Sequence, residues 1–102
     1  AAGGIALLTP DPGGQVAPLS VTWDLGRAAQ NMVLAAWELG VGSVPATVYD
    51  HDRARELLGY PADWHCEYIL SFGYPADESV LAAAKRAGRR KALAEIVHEE
   101  RW

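Results

Sequence analysis

The sequence predicts an α+β fold, and three local patterns carry that prediction. Ile5-Ala6-Leu7-Leu8-Thr9 is a short apolar run cut off by Pro10-Asp11-Pro12-Gly13-Gly14, which reads as a buried strand entering a loop. Leu25, Ala28, Ala29, Met32, Val33, Ala36 and Leu39 recur at the spacing of one broad helical face. Cys66, Tyr68, Leu70 and Phe72 alternate with Glu67, Ile69 and Ser71 before Gly73-Tyr74-Pro75, the pattern of a strand with one face in the core.

The remaining elements follow in order. From Gln15 to Trp23 the pattern is extended and weakly alternating, and Pro18 argues against a central strand there. Asp24 is placed to cap the long helix and Gly40 to stop it. Leu34, Ala35 and Trp37 make the other side of that helix apolar as well. Such a helix is buried on two sides, so in a short chain it predicts a partner or further polypeptide packed against it. Gly40-Val41-Gly42-Ser43-Val44-Pro45 reads as a turn feeding a short extended segment. Asp50 or Asp52 can cap a second helix that runs through Leu58 and ends at Gly59 and Pro61. Asp77-Glu78-Ser79 opens a third helix with Lys85-Arg86 in its last turn, as a helix dipole favours, and Gly88 ends it. The tail holds one apolar group, Leu93, Ile96 and Val97.

Composition bounds what such a chain can do. A length of 102 residues, half of them hydrophobic, allows one domain at most, with a thin margin between burial and chain entropy. Apolar runs such as Ile5–Leu8 are far below the ~20 residues of a membrane span, and nothing reads as a signal peptide. Ala1-Ala2-Gly3-Gly4 looks like a cut end. The single Cys66 allows no internal disulfide, and a reducing cytoplasm is the expected compartment. The net charge is −4, yet five of the nine basic residues (Lys85, Arg86, Arg89, Arg90 and Lys91) fall in one short stretch. An acidic body with one basic patch argues against nucleic-acid binding and suits the capture of one small anion.

Catalytic constellations are mostly missing. Ser20, Ser43, Ser71 and Ser79 lack a nucleophile-elbow context, and His51, His65 and His98 show no spacing that pairs them with a serine or with Cys66. His65-Cys66 reads as a solvent-edge histidine followed by a core cysteine, and no metal is expected there because ligands need to be several and spaced. Gly40 and Gly42 follow a helix and lack a third glycine, so they make no dinucleotide fingerprint. The basic cluster has two readings that spacing does not separate. One is a solvated helix end; the other is an anion site in which Arg89 and Arg90, just past Gly88, direct guanidinium forks at a phosphate.

Taken together, the segments resemble a known family. Asp24-Leu25-Gly26-Arg27-Ala28-Ala29-Gln30-Asn31-Met32-Val33-Leu34-Ala35-Ala36 and Glu38-Leu39-Gly40-Val41-Gly42-Ser43 resemble the long central helix and following turn of the FMN-dependent nitroreductases. Leu58-Gly59-Tyr60-Pro61, Phe72-Gly73-Tyr74-Pro75 and Arg89-Arg90-Lys91-Ala92-Leu93-Ala94-Glu95-Ile96-Val97-His98 continue the resemblance in the family's order, from about Ile5 to the C-terminus. The family's Arg/Ser-rich N-terminal motif and first helices have no counterpart, so the chain is expected to be one partial domain, residues 1–102, matching the C-terminal half. Ala92 stands where the family usually has proline.

The resemblance implies a nitroreductase-like α+β fold, with a mixed sheet flanked by helices and a long central interface helix. It implies an FMN-dependent oxidoreductase that uses NAD(P)H to reduce nitroaromatic, quinone or related small acceptors by a ping-pong route. It implies a homodimer through the helix Asp24–Gly40, with FMN at the interface. By the same resemblance Pro45, Ala46, Thr47 and Val48 face the flavin ring, Thr47 and Val48 through backbone N–H groups, while Arg90 and Arg89 hold the FMN phosphate. No side chain is expected to act as a catalytic group, since the flavin does the chemistry. Trp37 and Trp102 are expected to pack rather than stack on flavin. The alternative is a non-catalytic dimerisation module that binds no flavin on its own.

Overall fold

The computed structural model describes residues 2–11, 18–79, 88 and 91–100. Its elements are β1 (Gly3–Pro10), α1 (Leu19–Glu38), β2 (Gly42–Thr47), α2 (His51–Leu58) and β3 (Trp64–Gly73), with one 3-10 turn at Leu93–Glu95. The fold class is α+β, as expected. Strand β3 lies in the middle of a three-stranded sheet of order β1-β3-β2. It is antiparallel to both neighbours, so the described sheet is not itself mixed. Strands β1 and β2 run the same way, but β3 separates them and they cannot pair.

Helix α1 begins earlier than its apolar periodicity suggests. Leu19–Trp23, read as extended, forms its first turn. Pro18 is the residue before the helix, with φ −52° and ψ 141°. Its carbonyl accepts from the Val21 N–H at 2.8 Å, and a proline there sacrifices no N–H. The Thr22 hydroxyl donates to the Leu19 carbonyl at 2.9 Å. Asp24 is therefore not the cap: it lies inside the helix and meets Arg27 one turn on, at 3.5 Å. At the other end the Val41 N–H reaches the Ala36 carbonyl at 2.8 Å and the Gly40 N–H reaches Trp37 at 3.0 Å. This Schellman closure needs the left-handed φ of +71° that Gly40 supplies.

Helix α2 is capped by Asp50, which accepts from the Arg53 N–H at 2.9 Å, and closed by Gly59 at φ +71°. The third helix lies outside the described residues beyond its start. There the Asp77 carboxylate accepts from the Ser79 N–H at 2.9 Å, and the hydrogen bonds from Ser79 hold its carboxyl below the usual range.

Strand β3 carries a bulge that the alternating pattern conceals. Leu7 opposes Tyr68 and Leu8 opposes Cys66, which leaves Glu67 as the extra residue. One added residue reverses the side-chain alternation. Tyr68 and Leu70 accordingly share a cavity wall with His65 and Glu67, while Cys66, which simple alternation puts on the face of Tyr68 and Leu70, is turned to the other face; Tyr68 itself remains exposed.

Among the described residues the buried core is small: Leu7, Ala36, Tyr60, Cys66 and Leu70. Ile5 is 43% exposed, so β1 is only partly the buried strand expected. Helix α1 packs over β1 and β2, and α2 packs against β3. Within α1 only Ala36 is buried, while Leu19, Trp23, Leu34 and Trp37 are each more than half exposed. The described chain thus leaves uncovered the apolar surface that the sequence assigned to burial, and Trp37 does not pack within it. Trp102 lies outside the described residues. No helix is long and apolar enough to cross a membrane among the described residues.

Candidate functional site

The expected ring-binding segment lies on β2, which forms an edge of the described sheet. Pro45, Ala46 and Thr47 are exposed and Val48 is half-buried. The Val48 N–H donates to the Glu67 carbonyl at 2.9 Å. Because N–H directions alternate along an antiparallel ladder, Ala46 also points its N–H at β3, whereas positions 45 and 47 point away. Pro45 opposite Leu70 therefore deletes no ladder bond. Thr47 opposite Tyr68 directs its N–H to the open edge. Of the two backbone donors the resemblance implies, that of Val48 is engaged within the sheet and that of Thr47 is available.

Behind this edge, α1 and the sheet enclose a cavity of about 520 Å³. Leu7, Leu25, Ala29, Pro45 and Leu70 make its wall mostly apolar, and His65 and Glu67 add polar groups to the lining. Arg89 and Arg90, the expected phosphate ligands, lie outside the described residues. Two residues on, Ala92 has φ −62°, the value a proline ring would impose. The Ala92 N–H, which proline would lack, donates to Glu95 Oε1 at 3.1 Å.

One cluster joins residues from α2 and β3 that the sequence does not pair. His65 Nε2 donates to Glu67 Oε2 at 2.9 Å, and His51 Nδ1 donates to the Cys66 carbonyl at 3.2 Å. The two imidazole rings lie 4.6 Å apart. The spaced partners of His65 are therefore Glu67 and His51, not its neighbour Cys66. The i, i+2 spacing of His65 and Glu67 on a strand was the available signal; the approach of His51 from α2 has none. Cys66 itself is fully buried, and burial pushes its thiol above the ordinary 9.0, which suits the inert core cysteine expected.

Comparison with known proteins decides the family. Residues 8–74, from near the end of β1 to just past β3, match the sequence model of the nitroreductase family. The chain belongs to the nitroreductase family. An NADH dehydrogenase/NAD(P)H nitroreductase of Archaeoglobus fulgidus is 35% identical over 83 residues, which cover 78% of this chain and 45% of that protein. The chain spans about half the length of this nitroreductase relative. Among solved structures, a nitroreductase family protein from Clostridium difficile superimposes with a TM-score of 0.67 at 24% identity, over 97% of this chain and 59% of that one. An oxidoreductase containing FMN does so with a TM-score of 0.61 at 24% identity, over 97% and 52%. Both likenesses establish the nitroreductase fold.

Proposed function

We propose that this nitroreductase chain supplies the C-terminal half of an FMN-dependent oxidoreductase domain. In that reading it takes electrons from NADH or NADPH and passes them to a small nitroaromatic, quinone or related acceptor. The observation that carries the reading is the family match over residues 8–74, which includes β2 and its open edge. The donor set fits a flavin. Pro45, Ala46 and Thr47 are uncovered by other parts of the chain, and a backbone N–H at position 47 suits an acceptor atom along one side of a flat ring. Arg89 and Arg90 would hold the phosphate, where fork-shaped, permanently charged donors are needed. When bound, FMN supplies hydride and electron transfer; the chain binds and orients it. The apolar surface of the helix Asp24–Gly40 supports a homodimer, and the cytoplasm is the proposed compartment.

The visible spectrum of the purified chain tests this. Flavin absorbance in stoichiometric amount, native or after FMN addition, is expected; a preparation that stays colourless with added FMN sinks the proposal. Thr47→Pro removes the edge N–H without breaking a ladder bond and should weaken FMN about fivefold, the worth of one hydrogen bond between neutral groups. Thr47→Val keeps the N–H and should leave affinity unchanged. Arg90→Ala should weaken FMN far more than riboflavin. A second reading, a dimerisation module without flavin, is favoured by the exposure of Leu34 and Trp37 on α1; a colourless dimer would establish it.

A further inference from the structure

We propose that His51, His65 and Glu67 form a binding site for a divalent transition-metal ion of the zinc class, which clamps α2 to β3. One ligand atom from each residue lies within 4.8 Å of those of the other two. Two imidazoles and a carboxylate are a donor set that zinc and its neighbours accept, with the fourth position left to water.

The surroundings prepare the site. The Cys66 carbonyl accepts from His51 Nδ1, which fixes the tautomer and leaves the lone pair on Nε2, as backbone carbonyls do behind metal-bound histidines. His65 Nε2 and Glu67 Oε2 are 2.9 Å apart across one proton. A metal replacing that proton needs them only ~3.4 Å apart, the chord between two ligands at zinc bond lengths in a tetrahedron. Among the described residues the Glu67 carboxylate has no Lys or Arg partner, so its charge is left for a cation. All three residues are half-buried, which shields the site without sealing it. The i, i+2 placement of His65 and Glu67 on β3 and the Asp50 cap that starts α2 at His51 are the local features that bring the ligands together.

The site is independent of the flavin reading, and each can fail without the other. Zn²⁺ alone, titrated into the full chain against a chromophoric chelator, should bind at one equivalent. His51→Gln, His65→Gln and Glu67→Gln should each weaken it at least tenfold, with folding checked by circular dichroism, and His98→Gln should leave it unchanged. Co²⁺ added to the unaltered chain should give the intense visible bands of a tetrahedral site, a readout that needs no variant to fold. Absence of one-equivalent binding, or the weak spectrum of hydrated Co²⁺, overturns the proposal. So does affinity that survives loss of both His51 and His65, or that is lost with His98.

Discussion

Replacing Leu70 by alanine probes the packing on which the sheet depends. Leu70 is 3% exposed and stands on the middle strand between Ile5 of β1 and Pro45 of β2. The change removes three carbons from burial, at about 0.8 kcal/mol each, for a transfer loss of about 2.4 kcal/mol. A sealed void would add about 24 cal/mol for each Å³. Leu70, however, already borders the cavity of about 520 Å³ under α1, so the vacated space joins an existing opening and the void contribution stays small. The expected loss is about 2.5 kcal/mol, near the low end for buried leucines. In a domain of this size that is a fall in Tm of roughly 10–20 °C. Ile5→Ala is the internal comparison: the residue is 43% exposed, so a little over half as much should be lost, close to about 1.4 kcal/mol. Urea and thermal unfolding followed by far-ultraviolet circular dichroism, at one fixed protein concentration, measure both. Equal losses for the two variants would refute the assignment of Leu70 to the core. A loss above about 4 kcal/mol would show that the space around it is closed.

Two glycines should respond in opposite directions. Gly59→Ala forces a side chain onto a φ of +71° and should cost about 1 kcal/mol, whereas Gly26→Ala, mid-helix with nothing within 4 Å of the new methyl, should stabilise by about 0.5–1 kcal/mol; thermal unfolding reads both, and a destabilising Gly26→Ala would show that another surface packs there. Asp50→Ala removes the bond to the Arg53 N–H and should cost about 1 kcal/mol, read in the same melts, with an unchanged Tm counting against the cap. The Cys66 thiol, raised above 9.0 by burial, keeps its proton longer in the folded than in the unfolded chain. Its contribution is therefore complete below pH 9.0 and is lost as the pH rises through the folded-state value. Urea unfolding of the unaltered chain and of Cys66→Ala on both sides of that pH should show a smaller alkaline loss in the variant, and the thiol should resist alkylation until the chain unfolds.

Much of this protein could be read from local chemistry. Helix α2 follows from Asp50 and Gly59, the end of α1 from Gly40, and β3 from the alternation closed by Gly73, because caps and breakers act through neighbouring backbone groups. The family was legible too, since its segments keep their order along the chain. The start of α1 was not, because Leu19–Trp23 lacks a helical apolar stripe of its own and is carried into the helix by Pro18 and the turns that follow. The bulge at Glu67 was equally hidden, because it exists only in the register between β1 and β3. That register decides which face each residue of β3 presents: it sets Tyr68 and Leu70 on the cavity wall with His65 and Glu67, and Cys66 on the opposite face. Thr47 rather than Val48 offers its N–H for the same kind of reason, the alternation of a ladder whose phase is fixed by the partner strand. Caps, breakers and periodicity act over a few residues, so most elements and the family could be read along the chain. Which donors are left over and which ligands meet is set by pairing and packing, because these join residues that the chain keeps far apart.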